Sequence, residues 1–159
     1  MSKQLKRLFL LLEIAAAAAL VTGCPSQLWE AESPPYAITT PVYRIAGPDD
    51  LCTLGGVFFD FYNKSEKEVV FIETCMNVFN RKTGELAFEG AGGMLSESIC
   101  LLQSHERKSL CIPLDEFIWQ LDSPSFIVDN FFITRIEYSD GTTWQDKVGV
   151  YTSKYGEEA

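Results

Sequence analysis

Five cysteines and a single histidine carry most of the reactive chemistry in this 159-residue chain. The cysteines are Cys24, Cys52, Cys75, Cys100 and Cys111. None of them forms a Cys-x-x-Cys pair, and zinc ligands usually need such close spacing, so we predict no metal centre. His105 stands beside Glu106 without a Gly-x-Ser-x-Gly motif. This context indicates a solvated turn residue rather than a member of a Ser-His-Asp triad.

Adjacent acidic residues occur at Asp49-Asp50, Asp115-Glu116 and Glu157-Glu158. Glycosidase chemistry needs two carboxylates held ~5 to 9.5 Å apart across a cleft, whereas neighbouring acids in loops usually serve turns and caps. Calcium loops need an Asp-x-Asp-x-Asp-Gly pattern, which this sequence does not contain. Gly90-Ala91-Gly92-Gly93 lacks the lysine of a phosphate loop. We therefore predict a non-enzymatic protein with no catalytic residue and no cofactor.

Cys24 closes an N-terminal segment that has the three parts of an export signal. Lys3, Lys6 and Arg7 precede an apolar run from Leu8 to Val21, and small residues follow the run. The sequence Leu20-Val21-Thr22-Gly23-Cys24 resembles the lipobox of bacterial lipoproteins, and Glu13 inside the apolar run is the one departure. The resemblance implies cleavage between Gly23 and Cys24, and acylation of Cys24 by palmitate-type chains.

A lipid on Cys24 implies a location in the bacterial cell envelope, facing the periplasm or the cell exterior. Two or three acyl chains hold a protein stably at a membrane, whereas one chain holds it only marginally. The alternatives are an ordinary signal peptide with an unrelated Cys24, and an uncleaved helical anchor. If the signal stays attached, we expect residues 5–22 to form a helix that stands apart from the rest of the chain.

The charge of the chain argues against nucleic acid as a partner. The full chain carries −9, from 13 basic and 22 acidic residues. Cleavage would leave 10 of the basic and 21 of the acidic residues, so the mature chain would carry −11. An acidic surface repels phosphate backbones and anionic headgroups. The lipid must therefore supply the membrane attachment, and the expected partner is an envelope protein or ligand.

The remaining sequence divides into three parts. Residues 24–41 are predicted to be a lipidated, proline-rich tether, because Pro25, Pro34, Pro35 and Pro41 exclude a continuous helix or central strand. Tyr36 in this segment either reaches the headgroup level or docks on the domain. Residues 42–153 form one predicted β-domain, and residues 154–159 are a frayed tail.

Alternating apolar and polar residues predict seven or eight strands in residues 42–153. The predicted strands are 42–45, 54–62, 68–80, 85–89, 98–103, 109–114, 126–138 (one strand or two) and 142–151. Asp115 to Leu121 predicts a one- or two-turn helix or an irregular corner. Gly84 is expected to adopt a left-handed conformation, and Asp140-Gly141 a two-residue type I′ turn. This pattern predicts an all-β antiparallel sandwich.

Two runs of sequence indicate the type of sandwich. Ile133 to Trp144, together with Phe59 to Ser65, resembles immunoglobulin-like domains of bacterial exported proteins. The resemblance covers about 90 residues and implies an immunoglobulin-like fold, without implying any activity.

The exported compartment predicts disulfides among Cys52, Cys75, Cys100 and Cys111. A hairpin turning at residues 104–107 places Cys100 opposite Cys111. Its arms place Ile99, Leu101, Leu110 and Ile112 together on the opposite face. A turn centred on residues 63–64 similarly places Cys52 opposite Cys75. The alternative is that all four are free buried thiols.

The first functional hypothesis is a lipid-anchored binding or interaction module, with Trp119 as the candidate partner-binding residue. A small envelope hydrolase that uses carboxylates is one alternative. The other is a structural subunit of an envelope assembly, joined through edge strands. A deep cleft lined by two inward carboxylates would favour the hydrolase. A long exposed edge strand or a flat aromatic patch would favour binding or assembly.

Overall fold

The computed structural model describes residues 33–88, 93–118 and 125–153, which contain eight strands and one short helix. The elements are β1 (Tyr36–Ile38), β2 (Val42–Ile45), β3 (Gly55–Asn63), β4 (Val69–Asn80), β5 (Met94–Leu102), β6 (Arg107–Pro113), α1 (Asp115–Ile118), β7 (Phe126–Tyr138) and β8 (Thr143–Gln145). The predicted strand count and the all-β class are therefore confirmed.

The strands form two antiparallel sheets. In the first sheet, β3 pairs with β6 along one side and with β1 and then β2 along the other. The second sheet has the order β5-β4-β7-β8. The two sheets bury their facing sides against each other, which defines a β-sandwich.

Alternation along each strand builds the core. On β3, the buried residues Val57, Phe59 and Phe61 alternate with less buried neighbours, as expected for one face of a sheet. Phe59 of the first sheet meets Phe131 of β7 with ring centroids 4.9 Å apart. Tyr36 stacks on Phe61 at 5.6 Å, so β1 also belongs to the core.

Two of the connections that carry the chain from one sheet to the other lie at the same end of the sandwich. Residues 64–68 join β3 to β4, and residues 103–106 join β5 to β6. Asn63 holds both connections. Its side-chain amide donates to the carbonyls of Lys67 (2.7 Å) and Gln103 (3.0 Å), while its oxygen accepts from Ser65 N (3.0 Å). This side chain is fully buried, and its hydrogen bonds fix the spacing of the sheets at this end.

The connection at residues 103–106 shows that the predicted Ser98–Leu114 hairpin is wrong. Ile99 of β5 pairs with Phe71 of β4, and Cys111 of β6 pairs with Phe58 of β3. Locally, a hairpin and a link between two sheets have the same sequence pattern, two strands around a polar turn. Here each arm completes a different sheet, so Leu102 and Ile112 enter the core from opposite sides.

The turns differ from prediction in one respect. Gly84 has φ = 72°, which confirms its left-handed conformation. The β7–β8 hairpin exists, but its loop is not a type I′ turn. Gly141 N bonds to Tyr138 O, and Tyr138 N bonds to Thr142 O. Gly141, with φ = 80°, supplies the positive φ, so the loop has three residues with a glycine bulge.

Other boundaries also move. The sandwich begins at β1, six residues before the predicted start at Val42, because Tyr36 docks on the core. Of the predicted strand at 85–89, Leu86 forms an isolated bridge with Phe79. The predicted strand 142–151 is shorter, as β8 ends at Gln145. β7 is one strand, and its register shifts near Asn130, which has φ = 51°. The predicted signal, residues 1–23, and the tail, residues 154–159, lie outside the described residues.

Candidate interaction site

A row of exposed apolar side chains runs along β5. The exposed fraction is 64% for Leu95, 89% for Ile99 and 62% for Leu101. Cys100 and Leu102, which point to the other face of the strand, are buried. The strand alternates, but its outward face is more apolar than the solvent face of a sheet usually is. This finding corrects the expectation that Ile99 and Leu101 share a face with Leu110 and Ile112.

β5 is also an edge strand. It hydrogen-bonds to β4, and no other described strand pairs with its free side. An edge strand presents unpaired N–H and C=O groups and can accept another strand. β5 therefore combines backbone groups available for pairing with side chains that favour burial.

An open cleft of about 690 Å³ adjoins the first half of β5. Four carboxylates line it, from Glu73, Glu97, Asp115 and Glu116. Its apolar lining comes from Met94, Leu95, Pro113 and Phe117. No lysine, arginine or histidine belongs to its described lining. The cleft is therefore both apolar and negatively charged.

Two of these carboxylates are engaged by the protein. Asp115 accepts hydrogen bonds from the backbone N–H groups of Thr53 (2.8 Å) and Leu54 (2.7 Å), which hold the pKa of its carboxyl below the usual value. Asp115 thus attaches the loop before β3 to the start of α1. Glu73 accepts from Thr134 and faces Arg135, at 3.5 Å from its guanidinium.

The other two carboxylates remain available. Among the described residues, neither Glu97 nor Glu116 makes a hydrogen bond or an ion pair, and both are exposed. An exposed carboxylate without a cationic partner attracts cations at little desolvation cost. These two side chains give the cleft its uncompensated negative charge.

His105 lies at the tip of the connection between β5 and β6, where its φ of 60° is unusual for a residue other than glycine. Its Nε2 lies 3.0 Å from Glu66 Oε1, and its ring is exposed. The neighbouring hydroxyl of Ser104 donates to the carbonyl of Ser65 at 2.8 Å. These contacts connect the two inter-sheet links to each other.

The cysteines are arranged differently from the predicted pairs. Cys100 lies in the second sheet and Cys111 in the first, and Cys52 precedes β3 while Cys75 lies on β4. Neither predicted cross-strand pair exists, because the two turns that were to align them lead from one sheet to the other. Instead, Sγ of Cys52 lies 3.3 Å from Sγ of Cys111.

The lipidation residue Cys24, the cleavage position after Gly23 and the candidate binding residue Trp119 lie outside the described ranges. Sequence reasoning missed the acidic cleft, because its lining comes from four elements, β4, β5, β6 and α1, that are separate in sequence. One signal was present in the sequence. Leu95, Ile99 and Leu101 belong to one face of the strand, and the apolar residue Cys100 belongs to the other face. That pattern indicates a strand with two apolar faces.

Comparison with known proteins places no relative beside this chain: no family model, curated protein or solved structure matches it. Within residues 33–88, 93–118 and 125–153, no helix is long and apolar enough to cross a membrane. The same ranges hold no cluster of three or more His, Cys, Asp or Glu side chains that could bind a metal ion.

Proposed function

We propose that the protein is a lipid-anchored lipoprotein of the bacterial cell envelope that acts as a non-enzymatic interaction module. Its sandwich would bind an extended segment of an envelope protein along β5 and in the adjoining cleft. The observation that carries the proposal is the exposed apolar row on an edge strand beside an acidic cleft. The cleft is open and its two unengaged carboxylates, Glu97 and Glu116, are exposed, so it differs from the deep cleft with inward carboxylates expected of a hydrolase. The lipobox-like sequence ending at Cys24 supports the envelope location.

The chemistry of the site indicates the partner segment. Strand addition to β5 would satisfy backbone groups on both chains and select an extended segment. Leu95, Ile99 and Leu101 favour apolar residues at alternate positions of that segment. Glu97 and Glu116 favour lysine or arginine. We therefore expect a segment in which basic and apolar residues alternate.

Binding of a synthetic peptide tests this proposal. The probe is a fluorescent peptide of alternating lysine and valine, about eight residues long, titrated with the full chain in detergent and followed by anisotropy. Burying one isoleucine side chain contributes ~1.5–3 kcal/mol, so Ile99→Ser is expected to raise Kd about 10-fold or more.

Val148→Ser is the matched control. Val148 is also a β-branched apolar residue, 81% exposed, and lies outside the cleft lining and β5. We expect its Kd to equal that of the unaltered chain. Equal Kd values for Ile99→Ser and the unaltered chain, or no binding of the peptide at all, would refute the proposed docking surface.

A further inference from the structure

Two cysteine side chains that are distant in sequence meet beside β6. Cys52 and Cys111 are 59 positions apart, and their Sγ atoms lie 3.3 Å from each other. Non-bonded heavy atoms rest at roughly 3.5–4 Å, so these sulfurs are in close contact. A disulfide bond is about 2.05 Å long, so the sulfurs must approach by a little over 1 Å to form one.

The surroundings allow that approach. Cys111 is held on β6 by its pairing with Phe58, whereas Cys52 lies in the irregular segment between β2 and β3. A small shift of this segment can close the distance without disturbing the sheet. Gly56 leaves space for the pair, since a Cβ at that position would lie 2.8 Å from Sγ of Cys111.

The other described cysteines lack such a neighbour. Cys100 is buried on β5, and Cys75 lies on β4. No described sulfur is in hydrogen-bonding contact with either of them, whereas Cys111 has this contact with Cys52. Burial and the adjacent Cys52 thiol also raise the pKa of Cys111 to about 12. This thiol is therefore mostly protonated at neutral pH, which disfavours metal binding and makes its exchange with a disulfide slow.

We infer that Cys52 and Cys111 form an oxidisable pair that closes to a structural disulfide when the chain meets a disulfide-bearing oxidant. Oxidation in the cell depends on the proposed export, because the oxidant would be encountered outside the cytoplasm. The pairing of the two cysteines rests on the geometry alone. The disulfide would covalently attach the segment before β3 to β6. Because Thr53 and Leu54 of this segment bind Asp115, it would also fix one wall of the acidic cleft.

The reaction is a double thiol–disulfide exchange. One cysteine of the pair, as its thiolate, attacks the oxidant's disulfide, forms a mixed disulfide and releases one thiol of the oxidant. The second cysteine then attacks the sulfur of the first and releases the other half of the oxidant. Two protein thiols are oxidised to one disulfide, the oxidant's disulfide is reduced to two thiols, and both protons end on those thiols.

Tryptic mapping tests the pair, because trypsin separates the four cysteines of the domain. Cleavage after lysine and arginine places Cys52 in peptide 45–64, Cys75 in 68–81, Cys100 in 83–107 and Cys111 in 109–135. The purified full chain is reduced, treated with oxidised glutathione, alkylated without further reduction and digested. We expect mass spectrometry to find peptide 45–64 linked to peptide 109–135.

Variants provide the control. Cys75→Ser combined with Cys100→Ser is expected to keep the link, and Cys52→Ser is expected to abolish it. The unaltered chain alone can overturn the inference. Either a link between peptides 83–107 and 109–135, or alkylation of both Cys52 and Cys111 after oxidation, would do so.

The same mapping on chain isolated from bacterial membranes, with thiols blocked at lysis, separates this inference from the proposed location. A link in both samples supports the pair and is consistent with export. A link after glutathione treatment that is absent from the cell-derived chain supports the pair and contradicts export into an oxidising compartment.

Discussion

Replacing Asn63 by alanine is expected to destabilise the sandwich more than any other asparagine replacement in its turns. The side chain of Asn63 is fully buried where β3 ends. It donates to the carbonyls of Lys67 and Gln103 and accepts from the N–H of Ser65. Asn63→Ala would leave these three backbone groups without their partner, at the point where both inter-sheet connections meet.

The magnitude follows from those three bonds. A lost hydrogen bond costs ~1 kcal/mol, and a group left dry costs up to ~3 kcal/mol, so Asn63→Ala is expected to cost ~3–5 kcal/mol. A domain of this size has a total stability of ~5–15 kcal/mol. With a urea m-value of ~1–3 kcal/mol per molar, the unfolding midpoint falls by about 2 M.

Equilibrium urea unfolding, followed by tryptophan fluorescence, measures this cost. Asn80→Ala is the matched control, because Asn80 also accepts backbone hydrogen bonds, from Lys82 N at 2.9 Å, but within one exposed turn. We expect Asn80→Ala to cost ~1 kcal/mol. An Asn63→Ala midpoint no lower than that of Asn80→Ala would refute the role assigned to Asn63.

Hydrogen bonds from Arg44 and from the backbone N–H of Gly47 lower the pKa of Asp50 from 3.8 to about 2. The contribution of Asp50 to stability is therefore present above pH 3.8 and is lost as the pH falls towards 2. Asp50→Asn should make the melting temperature depend less on pH across that window. Gly56→Ala should cost ~1–3 kcal/mol in thermal unfolding, since its Cβ would lie 2.6 Å from Ile112 O, whereas Gly47→Ala should be milder. Cys24→Ala should abolish fatty-acid labelling; unchanged labelling would contradict lipidation.

Strand positions were predictable, because burial on one face of a sheet produces local alternation. β2 matches its predicted range, β3 is displaced by one residue at both ends, and β4 begins one residue later than predicted. The short helix that begins at Asp115 is one of the two structures predicted for this segment, the other being an irregular corner. The Asp115 carboxylate binds the loop before β3. The alternation predicts that a strand exists, but it does not predict which other strand it pairs with.

Strand partners determine the features that sequence reasoning missed. Whether Ser104 to Arg107 closes a hairpin or joins two sheets depends on β3 and β4, which are distant in sequence. The same pairing moves Cys111 away from Cys100 and towards Cys52, a residue outside any strand. It also brings Glu97 and Glu116 into the lining of one cleft. Such contacts follow from tertiary packing, and no local spacing reveals them.

The central claim is that the cleft beside β5 selects a basic, extended segment, and charge selectivity tests it most directly. Anisotropy titrations would compare the lysine–valine peptide with a glutamate–valine peptide of equal length, using the unaltered chain, Glu97→Lys and Glu85→Lys. Glu85 is an exposed acid in the turn after β4, so its reversal makes the same change in net charge elsewhere.

We expect the unaltered chain to bind the lysine–valine peptide and not the glutamate–valine peptide, with Kd rising as salt is added. Glu97→Lys should weaken binding by about 10-fold or more, and Glu85→Lys should leave it nearly unchanged. Equal binding of the two peptides, or equal effects of the two reversals, would contradict recognition at this cleft.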